Sequence, residues 1–124
     1  MSASTTPRFA IGANNDNTGR TITQDYQTPA YATVINTVTN SQITYVQPAV
    51  LTGPVTVNVD VTTPMIGDTL EYVFHNDGTS RTVTFGTGVA VSAATLVTVA
   101  GKFGSINFRY YGSLWIETAR SLTA

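Results

Sequence analysis

The sequence has no cysteine and little charge, and each lack excludes a class of protein. Without cysteine the chain has no disulfide framework, no thiolate nucleophile and no cysteine-based zinc site. Charged residues make up 10% of the 124 residues, against about 25% in an average domain. The basic residues are scattered, whereas nucleic-acid binding needs clustered Lys and Arg to neutralise phosphates. We therefore expect no nucleic-acid partner.

Long apolar runs and targeting signals are also missing. No stretch of 18 apolar residues occurs, so we expect no transmembrane helix and no membrane partner. The start of the chain contains no basic segment leading into an apolar run, which is the pattern of a secretory signal. The expected place of synthesis and folding is therefore the cytoplasm of the producing cell.

The sequence is rich in β-branched residues, with 23 threonines and 14 valines. Such residues are stiff at χ1 and suit a pleated sheet better than a helix. Valine alternates with polar residues over 55–62, which predicts a half-buried strand. Eight or nine short segments of this kind, separated by Gly, Pro and Asn turns, favour an all-β domain. We predict a two-sheet antiparallel β-sandwich, resembling a jelly roll, over residues 31–124.

Residues 1–30 have a different composition and are predicted to form an extended N-terminal arm. Asn, Asp, Gly and Pro are dense in this segment, and its apolar residues are too isolated to build a core. Such a segment can bind a neighbouring chain by placing single side chains in grooves and by adding to a strand edge. The residues expected to contact a partner are Arg8, Phe9, Ile11, Arg20, Ile22 and Tyr26.

The residues that could carry chemistry form no convincing site. The single histidine, His75, shares one predicted turn with Asp77 and Ser80, an arrangement that does not aim a hydroxyl at an imidazole. Residues 14–25 have part of the spacing of an EF-hand loop, but they lack its carboxylate charge and its flanking helices. The scattered carboxylates predict no paired acid and base. We expect no enzyme activity, no metal site and no cofactor.

The last predicted hairpin divides into two faces. Trp115 shares one face with Ile106, Phe108 and Tyr110, and we predict that this face is buried in the core. The other face is mixed in character, and a partner that covered it would desolvate few charges. The residues predicted to form a subunit interface on that face are Arg109, Tyr111, Leu114 and Ile116.

Several segments after Pro64 resemble a module of bacteriophage virion proteins. These segments are GDTLEYVF at 67–74, VTFGTGV at 83–89, VTVAGK at 97–102, INFRY at 106–110 and GSLW at 112–115. The resemblance covers residues 64–120, and Tyr111 departs from it because relatives tend to have Asp before the turn glycine. It implies a β-sandwich, often trimeric, of the kind found in capsid decoration proteins, head fibres and tail-fibre tips, and it implies no catalytic residues.

Two functions follow as expectations. The first is a capsid decoration or cement protein, a homotrimer on the virion surface that binds the major capsid protein through its N-terminal arm. The alternative is a tail-fibre tip or lectin-like module that binds host carbohydrate through an exposed Tyr or Trp. Copy number per virion separates the two, because a decoration protein is present in hundreds of copies and a fibre in a handful.

Overall fold

The computed structural model describes residues 23–122 and contains strands but no helix in that range. No helix in this part of the chain is therefore long and apolar enough to span a membrane. The strands are β1 (Gln24–Gln27), β2 (Val34–Thr37), β3 (Ile43–Val46), β4 (Val55–Val59), β5 (Thr69–His75), β6 (Thr82–Phe85), β7 (Val89–Ala90), β8 (Thr95–Val97), β9 (Phe103–Tyr110) and β10 (Trp115–Leu122). The all-β prediction is confirmed.

The strands form a β-solenoid of about three turns, so the predicted antiparallel jelly-roll sandwich is wrong. Strands β1, β3 and β5 lie side by side and run parallel in one sheet. Strands β2, β4 and β6 do the same in the second sheet. Each coil therefore contributes one strand to each sheet, and the next coil stacks on it in register.

The error has a physical cause. Alternation of apolar and polar residues shows that a strand has one buried face, but it does not show the direction of the neighbouring strand. The Pro- and Gly-containing segments between strands were interpreted as turns of antiparallel hairpins, whereas they carry the chain across to the other sheet. The coils also differ in length, because Gln24 stacks on Ile43 and Ile43 stacks on Thr69. No regular repeat was therefore visible in the sequence.

Polar side chains on the outer face of the second sheet help to fix the register of the coils. Asn58 Nδ2 donates a hydrogen bond to Asn36 Oδ1 at 3.2 Å, and the amide of Thr87 donates to Asn58 Oδ1 at 2.8 Å. Stacked asparagines are a recurrent device in parallel β structures. Gly86 follows on the next coil, where a Cβ would collide with Asn58 Oδ1. A larger residue at position 86 would therefore require the Asn58 side chain to move from this position.

The C-terminal strands end the solenoid and supply part of its core, including the buried Trp115. Strand β9 runs antiparallel to β5, β10 runs antiparallel to β9, and β8 runs antiparallel to β6. Trp115 is fully buried, its ring centroid lies 5.3 Å from that of Tyr110, and its Nε1 donates to the Asp60 carbonyl at 3.1 Å. The prediction that Ile106, Phe108, Tyr110 and Trp115 form a buried face is confirmed.

An ion pair fastens the loop between β7 and β8 to β10. Arg120 Nε donates to Glu117 Oε2 at 2.7 Å, and the amide of Ser92 donates to Glu117 Oε1 at 2.8 Å. Arg120 also donates to the carbonyls of Ala93 and Thr95. The guanidinium of Arg120 holds the pKa of Glu117 at about 2, well below its usual range. This network, the Glu117–Arg120 clamp, closes the C-terminal end of the fold.

Candidate functional site

A groove of about 390 Å³ lies on the outer face of the larger sheet. Strands β3, β5 and β9 form its floor, and the segment after β9 adds an exposed tyrosine. The groove side chains used below are Tyr45, Thr69, Glu71, Asn107, Arg109 and Tyr111. We call this feature the sheet groove.

The register of the sheet places these side chains in two rows. One row contains Tyr45, Glu71 and Asn107, which are direct partners on β3, β5 and β9. The next row contains Thr69 and Arg109, partners on β5 and β9. Neighbouring strands are about 4.8 Å apart, so each row presents polar groups at that spacing. The sheet groove therefore carries a defined array of donors and acceptors.

Two charged side chains in the sheet groove have no partner in residues 23–122. Glu71 and Arg109 lie diagonally across neighbouring strands, yet they form no ion pair with each other or with any described residue. By contrast, Arg81 pairs with Asp77 at 2.7 Å, and Arg120 pairs with Glu117 at 2.7 Å. The carboxylate of Glu71 and the guanidinium of Arg109 are therefore available to hydrogen-bond with solvent or with a ligand.

The amide of Asn107 adds a third unsatisfied group. Its Oδ1 is buried and accepts no hydrogen bond within the described residues. Buried polar atoms in native structures nearly always have a partner, and an exception calls for an explanation. A ligand hydroxyl that reached this oxygen would supply the missing donor.

The four residues predicted to form a subunit interface do lie together. Arg109 and Ile116 are direct partners on β9 and β10, and the amide of Tyr111 donates to the Leu114 carbonyl at 3.1 Å. Arg109 and Tyr111 also line the sheet groove. A subunit packed on this face would cover the groove. The role of these four residues in subunit contact stays a prediction.

The N-terminal end of the solenoid presents two strand edges within the described residues. Strand β1 pairs only with β3, and β2 pairs only with β4. Apolar side chains on or next to these edges are exposed: Tyr26 to 63%, Val34 to 48% and Val38 to 55%. We call this end, residues 23–40, the open first coil.

The open first coil has a polar interior. Gln27 Nε2 donates to Asp25 Oδ2 at 3.0 Å and also to the Val38 carbonyl at 3.0 Å. Thr39 Oγ1 on this coil and Thr44 Oγ1 on the next are buried without a hydrogen-bond partner in the described chain. The first coil therefore contributes little apolar burial of its own.

Most residues of the predicted arm lie outside the described part of the chain. These are Arg8, Phe9, Ile11, Arg20 and Ile22. Tyr26 lies on the outer face of β1, beside Tyr45, and its hydroxyl donates to Gln47 Oε1 at 3.0 Å. Residues 24–27 pair with β3 in the sheet.

The residues weighed for catalysis do not converge within residues 23–122. His75 stacks on Phe103 with ring centroids 5.3 Å apart, on the rim of the larger sheet. Asp77 pairs with Arg81, whose guanidinium lowers the pKa of the Asp77 carboxyl. No group of three or more potential metal ligands is clustered in this range. Of the EF-hand-like segment, all residues up to Ile22 lie outside the described chain.

Comparisons with known proteins leave the chain without a family. No family model matches the sequence, and no curated protein matches it either. The function must therefore be argued from the two features described above, the sheet groove and the open first coil.

Sequence reasoning missed Tyr45, Thr69 and Glu71 as site residues. They belong to strands far apart in the chain, and only parallel stacking of β3 on β5 brings Tyr45 beside Glu71. The available signal was the alternation within each strand, where polar or aromatic residues that point outward alternate with buried residues. That signal does not reveal which strands are neighbours.

Proposed function

We propose that this chain is a structural protein of a bacteriophage virion, most consistent with a capsid decoration protein. In this proposal it is made in the host cytoplasm, acts without catalysis or a cofactor, and binds the major capsid protein on the virion surface. The observation that carries the proposal is the open first coil, which offers two strand edges and exposed apolar side chains at one end of the solenoid.

The lack of charge on the first two coils supports this role. From Tyr26 to Val59 the sequence contains no Asp, Glu, Lys or Arg. Strand edges in soluble proteins are usually protected by charged side chains, especially Lys, or by bulges. Burying threonine, asparagine and valine against a partner costs far less than burying unpaired charges. Asp25 on β1 is the one charged side chain of these edges, and Gln27 donates a hydrogen bond to it. Edges with so little charge suit a surface that becomes buried on assembly.

The edges also supply a binding mode. A strand from a partner can add to β1 or β2 through main-chain hydrogen bonds, while alternate side chains fit the partner surface. Tyr26 on β1 and Val34 on β2 face outward, so they are available for such contacts. The specificity would come from these side chains and the affinity largely from the backbone.

The resemblance of residues 64–120 to phage virion modules also motivates the proposal, although the β-sandwich that it implies is not the fold of this chain. The segments that carry it include β5, β6 and β9 and the start of β10, which together form the aromatic core and the closed end of the fold. The resemblance thus covers the scaffold and does not include the open first coil. A homotrimer stays a prediction, tested by light scattering of the purified protein and by copy number on particles.

The test compares two valines at opposite edges of the smaller sheet. Val34 on β2 and Val97 on β8 are exposed to 48% and 49%. Val34→Lys places a charge on the open first coil, whereas Val97→Lys places the same charge at the other end. Particles are purified from the phage that carries the coding sequence, after complementation with wild type or either variant, and the chain is quantified by immunoblot and immunogold labelling.

We expect hundreds of copies of the wild type over the capsid, at least a tenfold loss for Val34→Lys and full occupancy for Val97→Lys. Circular dichroism of each purified variant establishes that it folds. Equal occupancy of the two variants would contradict docking through the open first coil. A handful of copies at the tail would contradict the capsid role and favour a fibre.

A further inference from the structure

The sheet groove combines groups that the docking proposal does not use. It lies on the outer face of β3, β5 and β9, whereas docking uses the outer edges of the two sheets at β1 and β2, the last strands of the described chain on that side. Its two charged side chains, Glu71 and Arg109, form no ion pair within the described residues. By contrast, Asp77 pairs with Arg81 and Glu117 pairs with Arg120. A groove of this kind is available for a ligand while the open first coil is occupied.

The aromatic side chains at the groove favour a ligand with one apolar face. Tyr45 is exposed to 39% and Tyr111 to 58%, and neither hydroxyl makes a hydrogen bond within the described chain. Tyrosine offers a flat apolar ring together with a polar tip. Pyranose rings have such a face, because the C–H groups on one side of the ring are apolar while the hydroxyls project around it.

The polar groups specify the rest of the ligand. Glu71 is the one acid among residues 23–122 whose carboxylate accepts no hydrogen bond, so both of its oxygens can accept from ligand hydroxyls. Asn107 Oδ1 adds a buried acceptor beside Glu71, and Arg109 adds donors. Such a mixture of acceptors and donors suits vicinal hydroxyls, each of which both donates and accepts.

Other ligand classes fit less well. A phosphate or nucleic-acid backbone requires clustered positive charge, whereas the carboxylate of Glu71 lies next to Arg109 and repels an anion. A purely apolar ligand would leave Glu71, Asn107 and Arg109 desolvated and unpaired. The groove volume of about 390 Å³ lies at the small end of the range typical for ligand sites.

We propose that the sheet groove binds a short saccharide, with its hydroxyls bonded to Glu71, Asn107 and Arg109 and its ring stacked on Tyr45 or Tyr111. Binding leaves the edges of β1 and β2 free, so saccharide binding and particle docking are separate properties of one chain.

The test uses the full-length protein on an array of bacterial surface oligosaccharides, both neutral and uronic-acid-containing. Saccharides that bind are then titrated into isotopically labelled protein and followed by NMR. Glu71→Gln and Tyr45→Ala remove one polar and one aromatic contact. The matched control is Asp77→Asn, which makes the same acid-to-amide change on a turn outside the groove.

We expect shifts at β3, β5 and β9 and a dissociation constant raised about tenfold or more by each groove variant, as losses of about 1.4 kcal/mol or more produce. The control is expected to bind within about twofold of wild type, since a factor of two is only about 0.4 kcal/mol. The proposal is overturned if no saccharide on the array binds, or if the folded groove variants bind as wild type does. A subunit covering this face would block the groove, so saccharide binding would also contradict the predicted interface at Arg109 and Tyr111. Glu71→Gln should leave particle occupancy unchanged, which separates the two proposals.

Discussion

The first two coils and the C-terminal half of the molecule are built from different residues. Every Lys and Arg of the described chain lies at or after Arg81, and every acid except Asp25 lies at or after Asp60. The C-terminal half has the charge that keeps a surface soluble, and it ends in a fastened clamp. The first two coils carry only one charged side chain, Asp25, and their outer strands β1 and β2 each pair with one strand among the described residues. The difference supports the proposal that one half serves as the scaffold and the other as the docking surface.

The interiors of the two regions also differ, because the C-terminal core is aromatic and the first coil buries threonines. The C-terminal core contains the buried ring of Tyr72, which stacks on Phe74 and meets Phe108 edge to face. It also contains the buried rings of Tyr110 and Trp115, which contact each other in a tilted pair. The first coil buries Ile35 but also Thr37 and Thr39. Large aromatic rings contribute most to burial energy, and threonines contribute little. Stability should therefore depend strongly on the C-terminal core and weakly on the first coil.

The largest expected effect comes from removing the central ring of the C-terminal core. Trp115→Ala should lower the free energy of unfolding by about 3–5 kcal/mol, because the ring is fully buried and its cavity cannot collapse. Tyr26→Ala on the open first coil should cost less than about 0.5 kcal/mol. Urea denaturation of both variants measures the difference. Equal losses would mean that the two halves contribute alike.

Glycine positions give the next largest effect. Gly88 has φ +87° and a Cβ there would collide with the Val59 carbonyl, so Gly88→Ala should cost about 2–4 kcal/mol. Gly101 has φ +73° with open space around it, so Gly101→Ala should cost only about 1 kcal/mol of backbone strain. Thermal unfolding of the two variants separates collision from strain. Similar melting temperatures would argue against the close approach at Gly88.

The clamp at the closed end should make stability depend on pH. The pKa of Glu117 is lowered from 4.5 to about 2, so its contribution is fully present above about pH 4.5 and is lost as the pH falls through about 2. At pH 7 we expect Glu117→Gln to cost about 1–2 kcal/mol, after allowance for partial exposure to solvent. Unfolding of wild type and variant from pH 7 to pH 2 measures the difference between them. A gap that stayed constant would show that the charge of Glu117 contributes nothing.

The smallest effect, with the opposite sign, is expected in the polar interior. Thr44 Oγ1 is buried without a partner, so Thr44→Val should stabilise the protein by about 0.5–1 kcal/mol. Thr37→Val should instead destabilise it by about 1 kcal/mol, because the buried Tyr72 hydroxyl donates to Thr37 Oγ1 at 2.6 Å. Denaturation midpoints of the two variants test the pair of signs. A loss of stability in Thr44→Val would indicate that its hydroxyl is satisfied in solution.

The sequence predicts the local features of the fold, such as which residues of a strand are buried, but not the pairing of strands that are distant in the chain. The valines of β4 and the hairpin residues of β9 and β10 were placed correctly on strands and faces, because burial of alternate residues is a local property. Parallel pairing of β3 with β5 was not predicted, because it depends on contacts between residues more than twenty positions apart. Antiparallel pairing was predicted for the whole domain, whereas it holds for the C-terminal strands and not for the parallel coils.

The candidate sites follow the same division. Arg109 and Tyr111 were recognised as exposed members of one hairpin, and they do line the sheet groove. Tyr45 and Glu71 were not connected with them, since their proximity is a consequence of coil stacking. The unsatisfied oxygen of Asn107 is a fact of packing that no pattern of residue types could have revealed.

The reversal of strand direction after β5 gives the solenoid a polarity. On one side, parallel coils end at β1 and β2 with edges that a further parallel strand could extend. On the other side, the larger sheet turns antiparallel at β9 and finishes at the two-residue strand β7. Head-to-tail filaments require two complementary ends on every molecule. The two ends of this molecule present different strand directions, which disfavours growth of a filament by repeated stacking.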